Sequence, residues 1–215
     1  MTAINSSFPA SSALALEARA LTCIRGEREL FSGLDLQVFA GQCLHIRGEN
    51  GVGKTSLLRL LTGLTSPESG EVLWNGHYIK KEASEYHSKL LFLGHRDALK
   101  EDLSAIENLR LYAAIDGITL SEQDAFASLW RFGLKGREDL PVNCLSAGQK
   151  KRVLMARMLT RCAQVWILDE PFNALDTHAV QELQELIAEH LRGNGLVVLT
   201  SHQPLAIPGL RVFDL

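Results

Sequence analysis

Apolar residues in this 215-residue chain gather into short runs that stop at glycines or polar side chains. Gln164 to Leu168 and Leu196 to Thr200 are too short for helices, lack polar alternation, and read as strands buried on both faces, and Leu90 to Leu93 is a strand-sized apolar run. Gln42 to Arg47 is a further strand candidate. It runs into the glycine-rich Gly48 to Gly53, and Lys54 to Leu64 follows with leucine at 57, 58, 60, 61 and 64, a helix apolar on most sides and expected to be buried. Thr177 to Arg192 places Val180, Leu183, Leu186, Ile187 and Leu191 at helical spacing between two strand candidates, the crossover that a parallel sheet requires. The pattern predicts an α/β core with polar residues just beyond its strand ends.

Between these landmarks, Ser104 to Leu140 lacks strand alternation and carries helix-like patches, one with Ile106, Leu109, Leu111 and Tyr112, another with Phe126, Leu129 and Trp130. Gly117, Gly133 and Gly136 divide it into short helices, as expected of a helical insertion on the flank of the sheet. Residues 1–13 are rich in serine and alanine, with no basic residue before Arg19, and predict a flexible extension rather than a secretory signal. The length suits one domain.

Composition removes partners more than it adds any. The net charge of −3 argues against a broad basic face for nucleic acid, and no apolar run approaches the roughly 20 residues of a membrane-crossing helix. Cys23, Cys43, Cys144 and Cys162 form no C-x-x-C pair and are expected to be reduced, small apolar packing residues. His45, His77, His87, His178 and His190 show no metal-ligand spacing and read as structural.

Three segments carry chemistry. Gly48-Glu49-Asn50-Gly51-Val52-Gly53-Lys54-Thr55, continuing into Ser56, matches G-x-x-x-x-G-K-[ST], in which backbone N–H groups wrap phosphate oxygens at a helix N-terminus, the lysine reaches the β and γ phosphates and the hydroxyl holds Mg²⁺. A chance match is expected in roughly one chain of this length in a hundred. The apolar run Val165 to Leu168 ends in Asp169 and Glu170, one carboxylate to hold Mg²⁺ and one to orient or deprotonate a water. Leu145-Ser146-Ala147-Gly148-Gln149 reads as a helix start, capped by Ser146, whose free N–H groups attract an anion. His202 stands just past a strand end, where it can donate to a γ phosphate, and Asp176 follows the acidic pair by a few residues.

In this order and from about Leu14 to Leu215, these segments resemble the nucleotide-binding domain of ATP-binding-cassette proteins. The resemblance implies an α/β P-loop NTPase fold with a RecA-like core, an antiparallel β subdomain and a helical subdomain over about 98–160. It also implies roles. Lys54 and Thr55 bind phosphates and Mg²⁺, Asp169 belongs to the Walker B motif, and Glu170 is the catalytic base. Ser146, Gly148 and Gln149 belong to the signature that contacts the opposite subunit's ATP, Asp176 lies in the D-loop, and His202 is the switch histidine. One phosphate loop and one signature per chain imply an ATP-sandwiched pair, a homodimer being expected.

Two positions depart from that family's pattern. His95 occupies the place of the Q-loop glutamine, where its charged form would repel Mg²⁺. ATPase activity is therefore expected to fall below about pH 6.5, and a His95→Gln variant that keeps the same acidic limb would contradict this. The aromatic that often stacks on adenine is missing, and Cys23-Ile24-Arg25 takes its neighbourhood, so adenine packing is expected to be apolar or to come from Arg25.

Leu93-Gly94-His95, Asn143 to Gln149, Trp166 to Phe172 and Ser201-His202-Gln203-Pro204-Leu205 are similar to the CcmA family, the ATPase subunits of bacterial cytochrome c maturation. This implies a peripheral protein on the cytoplasmic face of the inner membrane, working with CcmB, CcmC and CcmD, its cycle driving haem export or release of the haem-loaded chaperone CcmE. No Cys-Pro or paired-His arrangement marks a haem site, so haem is expected to be handled by partners. A soluble ATP-binding-cassette factor for cofactor or iron–sulfur assembly shares the same ATP-site residues. A phosphate-loop kinase leaves Leu145 to Gln149 and His202 without a role.

Overall fold

A computed structural model describes residues 15–94 and 98–215. The expected extension over 1–13 and the candidate His95 lie outside the described residues.

Two sheets form, for different reasons. The first is an antiparallel layer of β1 (Ala15–Arg25), β2 (Arg28–Phe39), β4 (Ser69–Trp74) and β5 (His77–Tyr78), in the order β2-β1-β4-β5. Its hairpins are closed by short turns: Asn75 and Gly76, both with positive φ, supply the two-residue loop between β4 and β5. The second sheet contains β3 (Cys43–Arg47), β6 (Leu90–Leu93), β7 (Val165–Leu168), β8 (Leu196–Thr200) and β9 (Leu210–Asp214), all parallel, in the order β6-β7-β8-β3-β9.

The parallel sheet separates two cores, which is why its strands read as unbroken apolar runs. On one face Leu196, Val198, Val165 and Ile167 meet α1 (Lys54–Leu61) and the inner face of the antiparallel sheet, with Leu16, Leu36, Val38 and Trp74. On the other, Val197, Leu199, Trp166 and Leu168 meet α6 (Thr177–Arg192) and a helical group of α3 (Ala105–Ile115), α4 (Glu122–Arg131) and α5 (Ala147–Thr160). The short α2 (Ala83–Lys89) leads into β6 and buries Tyr86.

Helix ends follow their capping residues. Ser104 and Glu107 form a capping box on α3, and Ser146 and Gln149 form one on α5. The first helix is shorter than expected: Thr62 ends it, Gly63 takes a φ of 75°, and Leu64 lies 62% exposed rather than in the core. The cysteines divide as well. Cys23 and Cys43 are buried, burial pushing the Cys43 thiol up to about 12, whereas Cys144 and Cys162 are exposed and do not serve as packing residues.

His190 on α6 stacks on Trp166 of β7, ring centroids 3.8 Å apart and planes within 6°. Burial lowers its pKa to about 4 from the ordinary 6.5. Because the folded value lies below the unfolded one, the stability this neutral ring supports is complete above pH 6.5 and is lost as pH falls through the folded value. The span corresponds to about 3 kcal/mol. His190→Phe is expected to keep the stack and flatten the decline in Tm between pH 6.5 and 4, read by thermal melts across that range.

Candidate active site

The chain leaves β3 at Arg47 and turns through Gly48 to Gly53 onto α1. Glycine is a steric requirement at Gly53: its φ is 121°, and a Cβ there would sit 3.2 Å from Leu30 Cβ and from the Phe31 ring. Among the described residues no side chain caps α1, and its first turn holds no acidic group, so its leading N–H groups and dipole are left for an anion. Lys54 Nζ lies back along the loop, donating to the carbonyls of Gly48 (2.7 Å) and Glu49 (3.0 Å). Val52 N–H donates to the Glu49 carbonyl, closing the turn.

Beside this loop, β7 delivers Asp169 and Glu170, both buried. Thr55 Oγ1 donates to Asp169 Oδ2 at 2.8 Å, bringing a hydroxyl and a carboxylate together beneath the loop. These are hard oxygen donors of the kind Mg²⁺ takes, one carboxylate supplemented by a nucleotide's own phosphates. Among the described residues no cluster of three or more histidine, cysteine or acidic side chains that could hold a metal ion forms.

Glu170 is held in the left-handed region, φ 52°, a conformation that costs energy for a residue with a side chain. Its Oε1 is buried and makes no hydrogen bond among the described residues, although His202 Nε2 stands 3.4 Å away. A carboxylate oxygen in this condition is free to accept a proton or a hydrogen bond from a water. The loop, Asp169, Glu170 and His202 line one cleft of about 430 Å³, with Asn50, Ser56, Leu30 and Asn173 completing its walls.

The segment from Leu145 to Gln149 does not line this cleft. Ser146 and Gln149 are engaged in their capping box at the start of α5, and Gly148 lies where a Cβ would come within 3.2 Å of the Ala174 carbonyl. Asp176 caps α6 through Ala179 N–H at 2.8 Å and pairs with Arg152 of α5 at 3.1 Å. The hydrogen bond from Ala179 first, then that from Arg152, holds its carboxyl below the usual range. Arg152 also bonds Glu182 and the Phe132 carbonyl, tying the α5 start to α6.

The description "ABC transporter" belongs to the family model that matches residues 31–173. A cytochrome c biogenesis ATP-binding export protein CcmA of Nitrosospira multiformis is 47% identical over 92% of this chain and 96% of its own. That of Escherichia coli K12 is 50% identical over 89% and 91%. The chain belongs to the CcmA family of ABC transporter ATP-binding proteins. It is therefore an ABC-type ATPase of the cytochrome c biogenesis system.

The fold agrees with CcmA membership. A putative ABC transporter ATP-binding protein from Pyrococcus furiosus superposes with a TM-score of 0.81 at 24% identity, covering 94% of this chain and 97% of that one. A dimeric ATP-binding cassette in a post-hydrolysis state with ADP and phosphate gives 0.75 at 24% identity, covering 87% and 88%. The expected α/β P-loop architecture, with its antiparallel sheet and helices, is thus the one observed.

For this CcmA-family chain the structure brings the loop, the acidic pair and His202, all named from the sequence, to one cleft, and it adds four residues that the sequence reading did not single out. Leu30, rather than Cys23, Ile24 or Arg25, is what the antiparallel layer brings to the cleft. Asn173 lines it, Arg152 anchors Asp176, and Thr200 bonds both members of the acidic pair. Only Thr200 left a trace in the sequence: a hydroxyl in a buried strand must find a partner. Among the described residues no helix is long and apolar enough to cross a membrane.

Proposed function

We propose that this ATPase hydrolyses Mg-ATP in a site shared by two copies and drives a membrane complex of cytochrome c maturation from the cytoplasmic face of the inner membrane. The carrying observation is the split geometry: the loop, Asp169, Glu170 and His202 face one cleft, and Ser146 to Gln149 stand apart from it. A second copy supplies the missing wall, its Ser146, Gly148 and Gln149 offering a helix N-terminus to the γ phosphate.

In this reading the N–H groups of Gly51 to Ser56 and the Lys54 ammonium bind the phosphates, Lys54 exchanging loop carbonyls for phosphate oxygens. Thr55 and Asp169 would hold Mg²⁺, which when bound would supply positive charge against the phosphate oxygens. Glu170 Oε1 accepts the proton of the attacking water as the bond from the γ phosphorus to the bridging oxygen breaks, and ADP and phosphate leave. His202 Nε2 orients Glu170 or the γ phosphate. Asp176, fixed by Arg152, sits at the α6 start and joins the two copies' motifs.

CcmB, CcmC and CcmD are the partners expected, docking on the helical group near α3 and α4, with haem handled by them. The test is co-expression of the tagged chain with these subunits and purification from detergent-solubilised membranes. Co-purification of an active ATPase is the expected result. An active chain that stays in the soluble fraction and brings down no membrane subunit would shift the reading to a soluble assembly factor.

A further inference from the structure

Side chains at 196, 198 and 200 share one face of β8, and the first two, Leu196 and Val198, enter the core beneath α1. The alternation calls for an apolar residue at 200. Thr200 stands there instead, wholly buried, and its hydroxyl makes two bonds: it donates to Asp169 Oδ1 and accepts from Glu170 N–H, each at 2.9 Å. A polar group in a core position, with both bonds spent on the two carboxylate-bearing residues, is a local exception of the kind that collects at functional sites.

We infer that Thr200 is a positioning residue for hydrolysis: its hydroxyl fixes the Asp169 carboxylate toward Thr55 and holds Glu170 in its left-handed backbone at the wall of the cleft. The inference rests on the reading of Glu170 as the base and Asp169 as the Mg²⁺ ligand. Without the hydroxyl, Glu170 N–H is a buried donor with no acceptor, and the φ of 52° loses the bond that offsets its cost. Among the described residues the Asp169 carboxylate then keeps its bond from Thr55. The strand end itself stays fixed, because His45 Nε2–H donates to the Ser201 carbonyl at 3.0 Å, so removal of the hydroxyl acts on the carboxylates rather than on the backbone of β8.

Thr200→Val, Thr200→Ser and Glu170→Gln, each in the full chain with the partners it retains on purification, decide the matter. Thr200→Val is expected to lower kcat roughly 10- to 100-fold and to raise the Mg²⁺ concentration for half-maximal activity, leaving nucleotide binding in EDTA unchanged. Thr200→Ser restores both. A purely structural threonine would lower Tm and the active fraction without moving the Mg²⁺ dependence. If the valine protein does not fold, Thr200→Ala carries the same readouts. Wild-type kcat and Mg²⁺ dependence in the folded valine or alanine protein, or a serine variant as impaired as valine, overturns the inference while an inactive Glu170→Gln leaves the base assignment standing. An active Glu170→Gln overturns both.

Discussion

Glu170→Gln is expected to cut steady-state ATP turnover at least about a hundredfold while the protein goes on binding ATP. The substitution is nearly isosteric, and the Glu170 N–H bond to Thr200 is a backbone bond that survives it. What disappears is basicity: an amide oxygen does not take a proton at neutral pH, and the buried Oε1 makes no hydrogen bond among the described residues. One negative charge also leaves the vicinity of Asp169, which eases the approach of phosphate oxygens and is expected to tighten ATP binding. Phosphate release and nucleotide binding measured on one preparation separate these effects. Loss of both together would point to misfolding, and retention of turnover would remove Glu170 from the chemistry.

Lys54→Met is expected to act at the opposite stage, weakening ATP binding roughly 10- to 100-fold with a folded protein remaining. The side chain is the charged donor at the loop, already aligned by the carbonyls of Gly48 and Glu49. Methionine keeps its apolar stem and removes its charge. In the wild type, phosphate oxygens are expected to compete with those two carbonyls for the ammonium, and charge-assisted bonds to favour the phosphates. Calorimetric titration with ATP reads the effect directly, and unchanged affinity would mean that the backbone N–H groups and the α1 terminus alone hold the phosphates.

Much of this was legible because burial on both faces leaves a plain signal. β8 and α6 begin and end where the apolar spacing places them, at Leu196 to Thr200 and Thr177 to Arg192. The antiparallel layer was opaque for the opposite reason: the pairing of β1 with β2 shifts register between Ala18 and Leu21, Leu21 and Cys23, and Cys23 and Ile24, and each shift breaks the two-residue period. Leu64 misled because a helical spacing continued past Gly63, where the backbone turns out of the helix.

Site residues divided along the same line. Lys54, Thr55, Asp169 and Glu170 belong to contiguous segments whose chemistry is written locally. Leu30 reaches the cleft from β2, and Thr200 reaches Asp169 from 31 positions along the chain, so their roles depend on which strands neighbour one another. Arg152 is similar: a cation on α5 finds Asp176 and Glu182 only after α5 and α6 come together.

Sharing of the site between two copies is the central claim, and the mass of the Glu170→Gln protein in solution tests it most directly. Light scattering with and without ATP is expected to show the 23.7 kDa chain alone in the absence of nucleotide and a species of twice that mass with ATP, since hydrolysis no longer releases the pair. Introducing Ser146→Arg into the same protein is expected to abolish the doubled mass while leaving ATP bound. A Glu170→Gln protein saturated with ATP and still of single-chain mass would contradict the account.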